Sequence, residues 1–265
     1  ATAAELLALP LDAVVVASPD ALHHGHVAAA LEAGLNVFCE KPLCYAAADI
    51  ADLAHRRDRA GKVLQTGYMK RFDPSYEALL ALLSQQAGVL RQISVEVIDP
   101  DAAPFVGHHD WRPGTDLPDS ARADLRSRQA EQLARALPGV QDPAILRGFC
   151  GPYASSVVHD VNAVHGILDA LGLATGPICG AAFYADGMGG QGAVMVDGGA
   201  LWTLSHLTVP GLPHYSEHIT LIFDGSALEL EFPSPWLNHF PTRLTERRGR
   251  GHALETRDFR TSYAE

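Results

Sequence analysis

Glu40-Lys41-Pro42 sets a carboxylate, an ammonium and a conformationally fixed residue in a row, directly after the apolar run Asn36-Val37-Phe38-Cys39. An ammonium at a strand end can polarise an oxygen that is gaining charge. With a lowered pKa it can also exchange a proton with a hydroxyl. The carboxylate beside it can accept hydrogen bonds from a ligand. A plain loop ion pair would give the same residues, and position alone leaves both readings open. A second group surrounds His159. Ser155 lies four residues before it, and Asn162 and His165 fall near the same face at helical spacing, whereas Asp160 points about 100° away. An imidazole and a hydroxyl there can bind a polar ligand, and a buried core histidine is the alternative. Ser18, Pro19 and His23 follow one apolar run, and Tyr68 and Arg71 follow another. His108-His109-Asp110 and the His214, His218 pair are partial metal-ligand sets without the spacing of a known site, so no metal is expected.

These residues need a scaffold. Asp12 to Ala17 is a short apolar run that stops at Ser18-Pro19, Ala21 to Gly34 has helical spacing, and Asn36 to Cys39 is a second apolar run. Strand, helix and strand in that order predict a βαβ unit with a parallel sheet. Ligands bind beyond the carboxyl ends of such strands, where Ser18-Pro19 and Glu40-Lys41-Pro42 stand. The pattern predicts helices over 49–60 and 74–86 with a strand over 63–67 between them. From Arg91 to Ile98 apolar and polar residues alternate, which predicts a sheet with one covered face. A charged helix over 120–137 and an apolar helix over 151–171 follow. Strand-like runs then occupy 179–185, 193–197, 200–209, 218–223 and 227–232, the last two joined by Asp224-Gly225 as a hairpin turn. The expected fold is α/β: a partial Rossmann-like parallel sheet over 1–88, then an α/β domain with an open, mostly antiparallel sheet over 89–265. Leu201, Leu204 and Leu207 do not keep to one side of their strand, which predicts an apolar sheet face that pairs with a second copy of the chain.

The ordered set Ala17-Ser18-Pro19-Asp20-Ala21-Leu22-His23, Ala33-Gly34-Leu35-Asn36-Val37, Glu40-Lys41-Pro42 and Gly67-Tyr68-Met69-Lys70-Arg71-Phe72-Asp73-Pro74 resembles the glucose–fructose oxidoreductase, inositol dehydrogenase and MocA family. His159-Asp160-Val161-Asn162 is similar to that family's second-domain motif. The resemblance implies an NAD- or NADP-dependent dehydrogenase acting on a hydroxyl of a sugar, inositol or related polyol. It implies Lys41 as the proton-handling residue and His159 as the group that orients the substrate hydroxyl. Ser18, Pro19, His23, Glu40, Lys41, Pro42 and Arg71 are implied around the cofactor, with Glu40 on a ribose hydroxyl. The family motif has an Asp four residues before the His, and Ser155 stands there in this chain. A serine cannot hold a charge or tune a histidine as a carboxylate does. That departure keeps a second reading open, a catalytically inactive relative that binds a nucleotide or sugar.

At 265 residues and 47% hydrophobic the chain can build one large or two modest cores. A net charge of −11 argues against a nucleic-acid partner. No long uncharged apolar run predicts a membrane span. Cys39, Cys44, Cys150 and Cys179 form no C-x-x-C pair and read as buried thiols of a cytoplasmic protein. No G-x-G-x-x-G stands at a strand-to-helix junction; Gly187-Met188-Gly189-Gly190 comes too late in the chain and lacks that context. The chain opens on Ala1 with no leader pattern, and Ser262 to Glu265 reads as the start of a helix. The expectation is therefore a fragment that lacks the pyrophosphate-binding half and binds dinucleotides poorly.

Overall fold

The computed structural model describes residues 2–100, 107, 110, 114, 117–237, 240–250 and 253–261. Two compact units divide the chain: Ala1–Tyr68 with Arg112–Asp142, and Met69–Trp111 with Pro143–Glu265.

In the first unit α1 (Ala3–Leu7) leads to β1 (Ala13–Val16), α2 (His23–Glu32), β2 (Asn36–Cys39), α3 (Ala47–Ala60) and β3 (Leu64–Thr66). The strands form a parallel sheet in the order β1-β2-β3, with Val16 beside Cys39 and Cys39 beside Thr66. The expected βαβ unit is therefore present. Gly61 ends α3 in the left-handed region at φ 61°, which only a residue without Cβ adopts cheaply. Val16, Val27, Ala30, Leu31, Val37, Cys39 and Leu53 make the core of this unit, while Val15 on β1 is 72% exposed. A later helix, α5 (Asp119–Ala136), clusters with this unit. Its Gln132 donates to the Ala21 carbonyl at 2.8 Å, its Gln129 donates to the Tyr45 hydroxyl at 3.2 Å, and its Arg135 pairs with Asp49 at 2.9 Å. These are polar contacts made across long stretches of sequence, and helical periodicity carries no sign of them.

In the second unit α4 (Pro74–Leu83) starts where Asp73 accepts from the Ser75 and Tyr76 amides at 2.7 and 3.2 Å, with proline in the first turn. Residues 69–88 thus cluster with this unit, and the division falls at Tyr68 rather than at Gly88. The helix buries Tyr76, Leu79 and Leu83 against β4 (Leu90–Asp99) and its neighbours. After α6 (Pro143–Gly148) comes a wide π-helical stretch, Phe149–Val157, and then α7 (Val158–Leu171). The single helix expected over 151–171 is corrected by that change of winding. Gly151 has non-helical angles and Pro152 has no amide to continue an α-turn.

β5 (Thr175–Phe183), β6 (Gly189–Val196), β7 (Ala200–Thr208), β8 (Ser216–Phe223), β9 (Ser226–Glu231), β10 (Thr242–Arg250) and β11 (Ala253–Thr261) complete the second unit. With β4 they form one sheet in the order β11-β10-β9-β8-β4-β7-β6-β5. Among the described residues of this sheet only β4 and β7 pair in parallel, so the open, mostly antiparallel sheet is present, and Gly225 at φ 80° makes the β8–β9 turn. The last two strands were not read from the sequence; in β10, Thr242-Arg243-Leu244-Thr245-Glu246-Arg247 does not alternate between apolar and polar residues. Glu246 is nonetheless buried on β10. Ile93, Val95, Val97, Trp202, Ile219, Leu221, Leu228 and Leu230 pack against α4 and α7.

Two cysteines correct the expectation. Cys39 and Cys44 are buried, and burial pushes both thiols up to about 12, so they are inert. Cys150 is half-buried and Cys179 is exposed, on a strand whose every residue is exposed. No helix among the described residues is long and apolar enough to cross a membrane.

Candidate active site

The first unit brings six of the expected residues to the carboxyl edge of its sheet. The Glu40 amide donates to the Val16 carbonyl at 2.8 Å, which extends the β1–β2 ladder to the last residue before Lys41. The Lys41 amide in turn donates to Glu40 Oε2 at 3.2 Å, and the Lys41–Pro42 peptide is cis. The Glu40 carboxylate rests against Gly67 at the end of β3. A Cβ at that position would meet Glu40 Oε1 at 3.1 Å and Phe38 Cζ at 3.2 Å, closer than side chains normally come. Glycine there lets β3 pass close under the carboxylate.

His23 is 1% exposed. Its Nδ1 lies 2.8 Å from the Pro42 carbonyl oxygen and its Nε2 lies 2.8 Å from that of Ser18. Ser18 Oγ is 2.9 Å from His26 Nδ1. Burial, then His23 and Arg128, pull His26 below the usual histidine range. Pro19 leads into the short 3₁₀ turn Asp20–Leu22 that opens α2.

The second unit carries the rest. His159, on α7, is buried, and Ser155 is exposed within the π-helical stretch. The shared face expected from their spacing does not arise, because the winding changes between them. Ser155 Oγ donates to the Gly151 carbonyl at 2.8 Å, inside its own turn. Arg71 Nε donates to Asn162 Oδ1 at 2.8 Å, and its guanidinium lies against Gly166, where any Cβ would collide with it and with the Tyr76 hydroxyl. Arg71 therefore braces α7. His165 is exposed and meets Trp202 edge-on at 5.7 Å between ring centroids. Of the residues considered for metal, His108 and His109 lie outside the described residues. Among the described residues no group of three or more His, Cys, Asp or Glu is placed to hold an ion.

Sequence reasoning missed one cluster. Lys70 Nζ donates to Asp160 Oδ1 at 3.0 Å and to Glu217, which also accepts from the Tyr215 hydroxyl. Lys70, Asp160 and Glu217 are 6%, 0% and 1% exposed, and the Lys70 ammonium stands 5.1 Å from the centre of the Phe232 ring. Burial opposes the charge on Lys70, but Asp160 and Glu217 outweigh it and hold the group above its ordinary range. Burial, and then the nearby Glu217, raise Asp160 well above the carboxylate range. Burial opposes the charge on Glu217 too, but Lys70, Asp160 and Tyr215 keep its carboxyl low. One signal was available. In Ser216-Glu217-His218-Ile219-Thr220-Leu221-Ile222-Phe223 the period-2 rule puts Glu217 on the inward side with Ile219, Leu221 and Phe223.

A parallel sheet with a charged carboxyl edge, and an open mixed sheet covered by helices, define a two-part α/β protein. Residues 2–68 match the model of the oxidoreductase family with an NAD-binding Rossmann fold, GFO_IDH_MocA. Over residues 2–68 the chain is thus similar to this Gfo/Idh/MocA family. Inositol 2-dehydrogenase 1 of Saccharopolyspora erythraea is 52% identical over 67 residues, 25% of this chain and 20% of that protein. Inositol 2-dehydrogenase of Acidiphilium cryptum is 40% identical over 79 residues, 29% of this chain and 24% of that protein. The matched stretch thus spans a quarter or less of these relatives. An inositol dehydrogenase homolog from Azotobacter vinelandii, solved with NAD+, superposes with a TM-score of 0.67 at 18% identity over 97% of this chain and 59% of that one. KijD10, a 3-ketoreductase from Actinomadura kijaniata solved with NADP, gives 0.65 at 17% identity, over 97% and 68%. These likenesses show the fold along nearly the whole chain. The expected cofactor class, NAD or NADP, agrees with the family's description.

Proposed function

We propose that the protein is an NAD- or NADP-dependent oxidoreductase acting on a hydroxyl of a sugar, inositol or related polyol. The observation that carries the reading is the built carboxyl edge: Glu40, Lys41 and Pro42 follow directly on the β1–β2 ladder, and Gly67 makes room for the Glu40 carboxylate. That edge suits the nicotinamide–ribose half of a dinucleotide, with an acceptor-only carboxylate for a ribose diol and an ammonium beside it. When bound, the cofactor supplies the hydride acceptor. Lys41 takes and returns the proton of the substrate hydroxyl, Glu40 holds the ribose, and His159 binds a substrate hydroxyl. Incubating the chain, joined to an upstream glycine-rich strand-turn-helix segment of the kind the sequence reading expects, with NAD or NADP and a panel of polyols, with absorbance of the reduced cofactor as readout, tests the reading.

The inactive-relative reading has one observation in its favour: Ser155 replaces the family's Asp and turns its hydroxyl back to Gly151. The two histidines of α7 separate the readings. In an active enzyme, His159→Ala should lower kcat/KM at least about 10²-fold, the scale of a lost proton-transfer or orienting group. His165→Ala, exposed and touching only an indole edge, should stay within about twofold, near the effect of an ordinary surface change. Equal and mild losses would place the His159 face in the core and favour a binding protein.

We also propose that the sheet of the second unit forms a homo-oligomer interface through the face away from α4 and α7. On β7, Leu204 turns into the core, whereas Leu201 and Leu207 occupy the opposite parity and are half-buried. Beside them in register stand Gln92 and Ile98 of β4, and Gln92 faces Ile222 of β8, which is 37% exposed. Light scattering at micromolar concentration should give at least a dimer, and Ile222→Asp should shift it toward monomer. A wild-type protein that scatters as a monomer throughout that range would remove the interface.

A further inference from the structure

We infer that His23 is a positioning residue: its imidazole staples the loop after β1 to the loop after β2 and thereby fixes where Lys41 stands. The part of this inference that concerns turnover rests on the oxidoreductase reading, and the staple itself does not.

Both ring nitrogens of His23 are spent on main-chain carbonyls, Pro42 O and Ser18 O, each at 2.8 Å. A carbonyl oxygen is only an acceptor. A ring nitrogen without hydrogen would set its lone pair against that oxygen, so the arrangement needs a hydrogen on each nitrogen. Neither nitrogen is left over for a ligand, and the place implied for His23 among the cofactor contacts becomes a supporting one.

The anchor points bracket Lys41. On one side, the Glu40 amide is tied to Val16 by the last rung of the sheet. On the other, the buried Pro42 offers its carbonyl to His23. Lys41 is the one residue between two fixed points. Ser18 is gripped twice, its carbonyl by His23 and its hydroxyl by His26. A neutral His26 accepts from that hydroxyl, in keeping with the lowering of its pKa by burial and by the neighbouring His23 and Arg128. Glutamine donates from one end only, and leucine fills the space without donating. Loss of the staple frees the Pro42 side of the turn while the Glu40 side stays in the sheet, so the Lys41 ammonium should lose its fixed place relative to the sheet edge.

The test has two parts. In the ¹⁵N–¹H spectrum of the labelled wild-type protein at neutral pH, one imidazole should show hydrogens on both nitrogens, and His23→Gln should erase that pair of signals. A single neutral tautomer for His23 would overturn the staple, and this measurement needs neither a stable variant nor turnover. In kinetics, His23→Gln should lower kcat by about 10²-fold, the cost of a displacement near one ångström, with KM for the cofactor within a few fold. An unchanged kcat, or a loss confined to cofactor KM as for a direct ligand, would overturn the positioning role. If the wild-type protein turns over no polyol, the oxidoreductase reading fails and the ring spectrum still decides whether the staple exists.

Discussion

Lys41→Met should abolish turnover while leaving cofactor affinity within a few fold. Methionine keeps the length and most of the apolar stem and removes only the charge and its protons. If Lys41 takes the proton of the substrate hydroxyl, the loss should be at least the roughly 10²–10⁴-fold typical of a general acid–base group. It should appear in kcat and in kcat/KM together, because the interaction is one made in the transition state. The ribose-holding carboxylate should not move with it. Glu40 is fixed by its own amide in the ladder and by its contact with the backbone of residue 41, which the substitution leaves intact. Lys41→Arg should be nearly as damaging, since a guanidinium does not give up a proton. Steady-state reduction of NAD or NADP by a polyol panel, with cofactor affinity measured by fluorescence titration, checks both halves. A Lys41→Met protein that keeps half the wild-type rate would remove Lys41 from the mechanism.

What the sequence allowed and what it hid follow from the range of each interaction. The βαβ unit was legible because it rests on local signals: β-branched runs, helical spacing, and glycines that must turn at Gly34 and Gly61. The placing of Ser18, Glu40 and Lys41 at one edge followed from the parallel topology alone. The grip of His23 on two loops did not, because nothing in His23-His24-Gly25-His26 says which ring points inward. Nor did the docking of α5, whose Gln129, Gln132 and Arg135 read as solvent-facing residues until the partners Tyr45, Ala21 and Asp49 are in place. At His159 the α-helical rule was applied across a stretch that is not α-helical. Gly151 and Pro152 were visible as breakers, but the extra residue per turn they allow was not. Strand β10 failed for the opposite reason: sheet pairing, with Arg243 beside Glu231 and Arg247 near Glu229, builds it from residues held by charge partners rather than by hydrophobic alternation.

The largest effect on stability should come from the buried cluster of Lys70, Asp160 and Glu217. One ammonium faces two carboxyl groups with almost no water, and an unbalanced negative charge there would be costly. Among the described residues Asp160 Oδ2 has no partner as a carboxylate, although Glu217 lies within hydrogen-bond reach. A proton on Asp160, donated to Glu217, satisfies that oxygen and leaves a neutral set of one Lys70 ammonium and one Glu217 carboxylate. Three variants separate the roles. Lys70→Met strands a buried carboxylate, and Glu217→Gln strands the buried ammonium. Each should cost about 3–5 kcal/mol, the scale for breaking a buried pair from one side, and lower Tm by roughly ten degrees. Asp160→Asn mimics the protonated acid, with an oxygen for Lys70 and an N–H for Glu217. It should cost no more than about 1 kcal/mol, the scale of one altered hydrogen bond. The pH dependence gives the sign independently. A carboxyl whose folded pKa is raised binds its proton more tightly in the folded state, so its contribution is whole at acid pH and is lost as pH rises from the ordinary carboxylate range through the raised value. Glu217, held low, runs the other way: its contribution is present above the ordinary range and is lost as pH falls. Asp160→Asn should therefore flatten the decline of Tm on the alkaline side and leave the acid side as it was. Thermal melts of the four proteins across that range decide the matter. If Asp160→Asn is as damaging as Lys70→Met and the alkaline limb is unchanged, Asp160 is a charged member of the cluster and the shared proton does not exist.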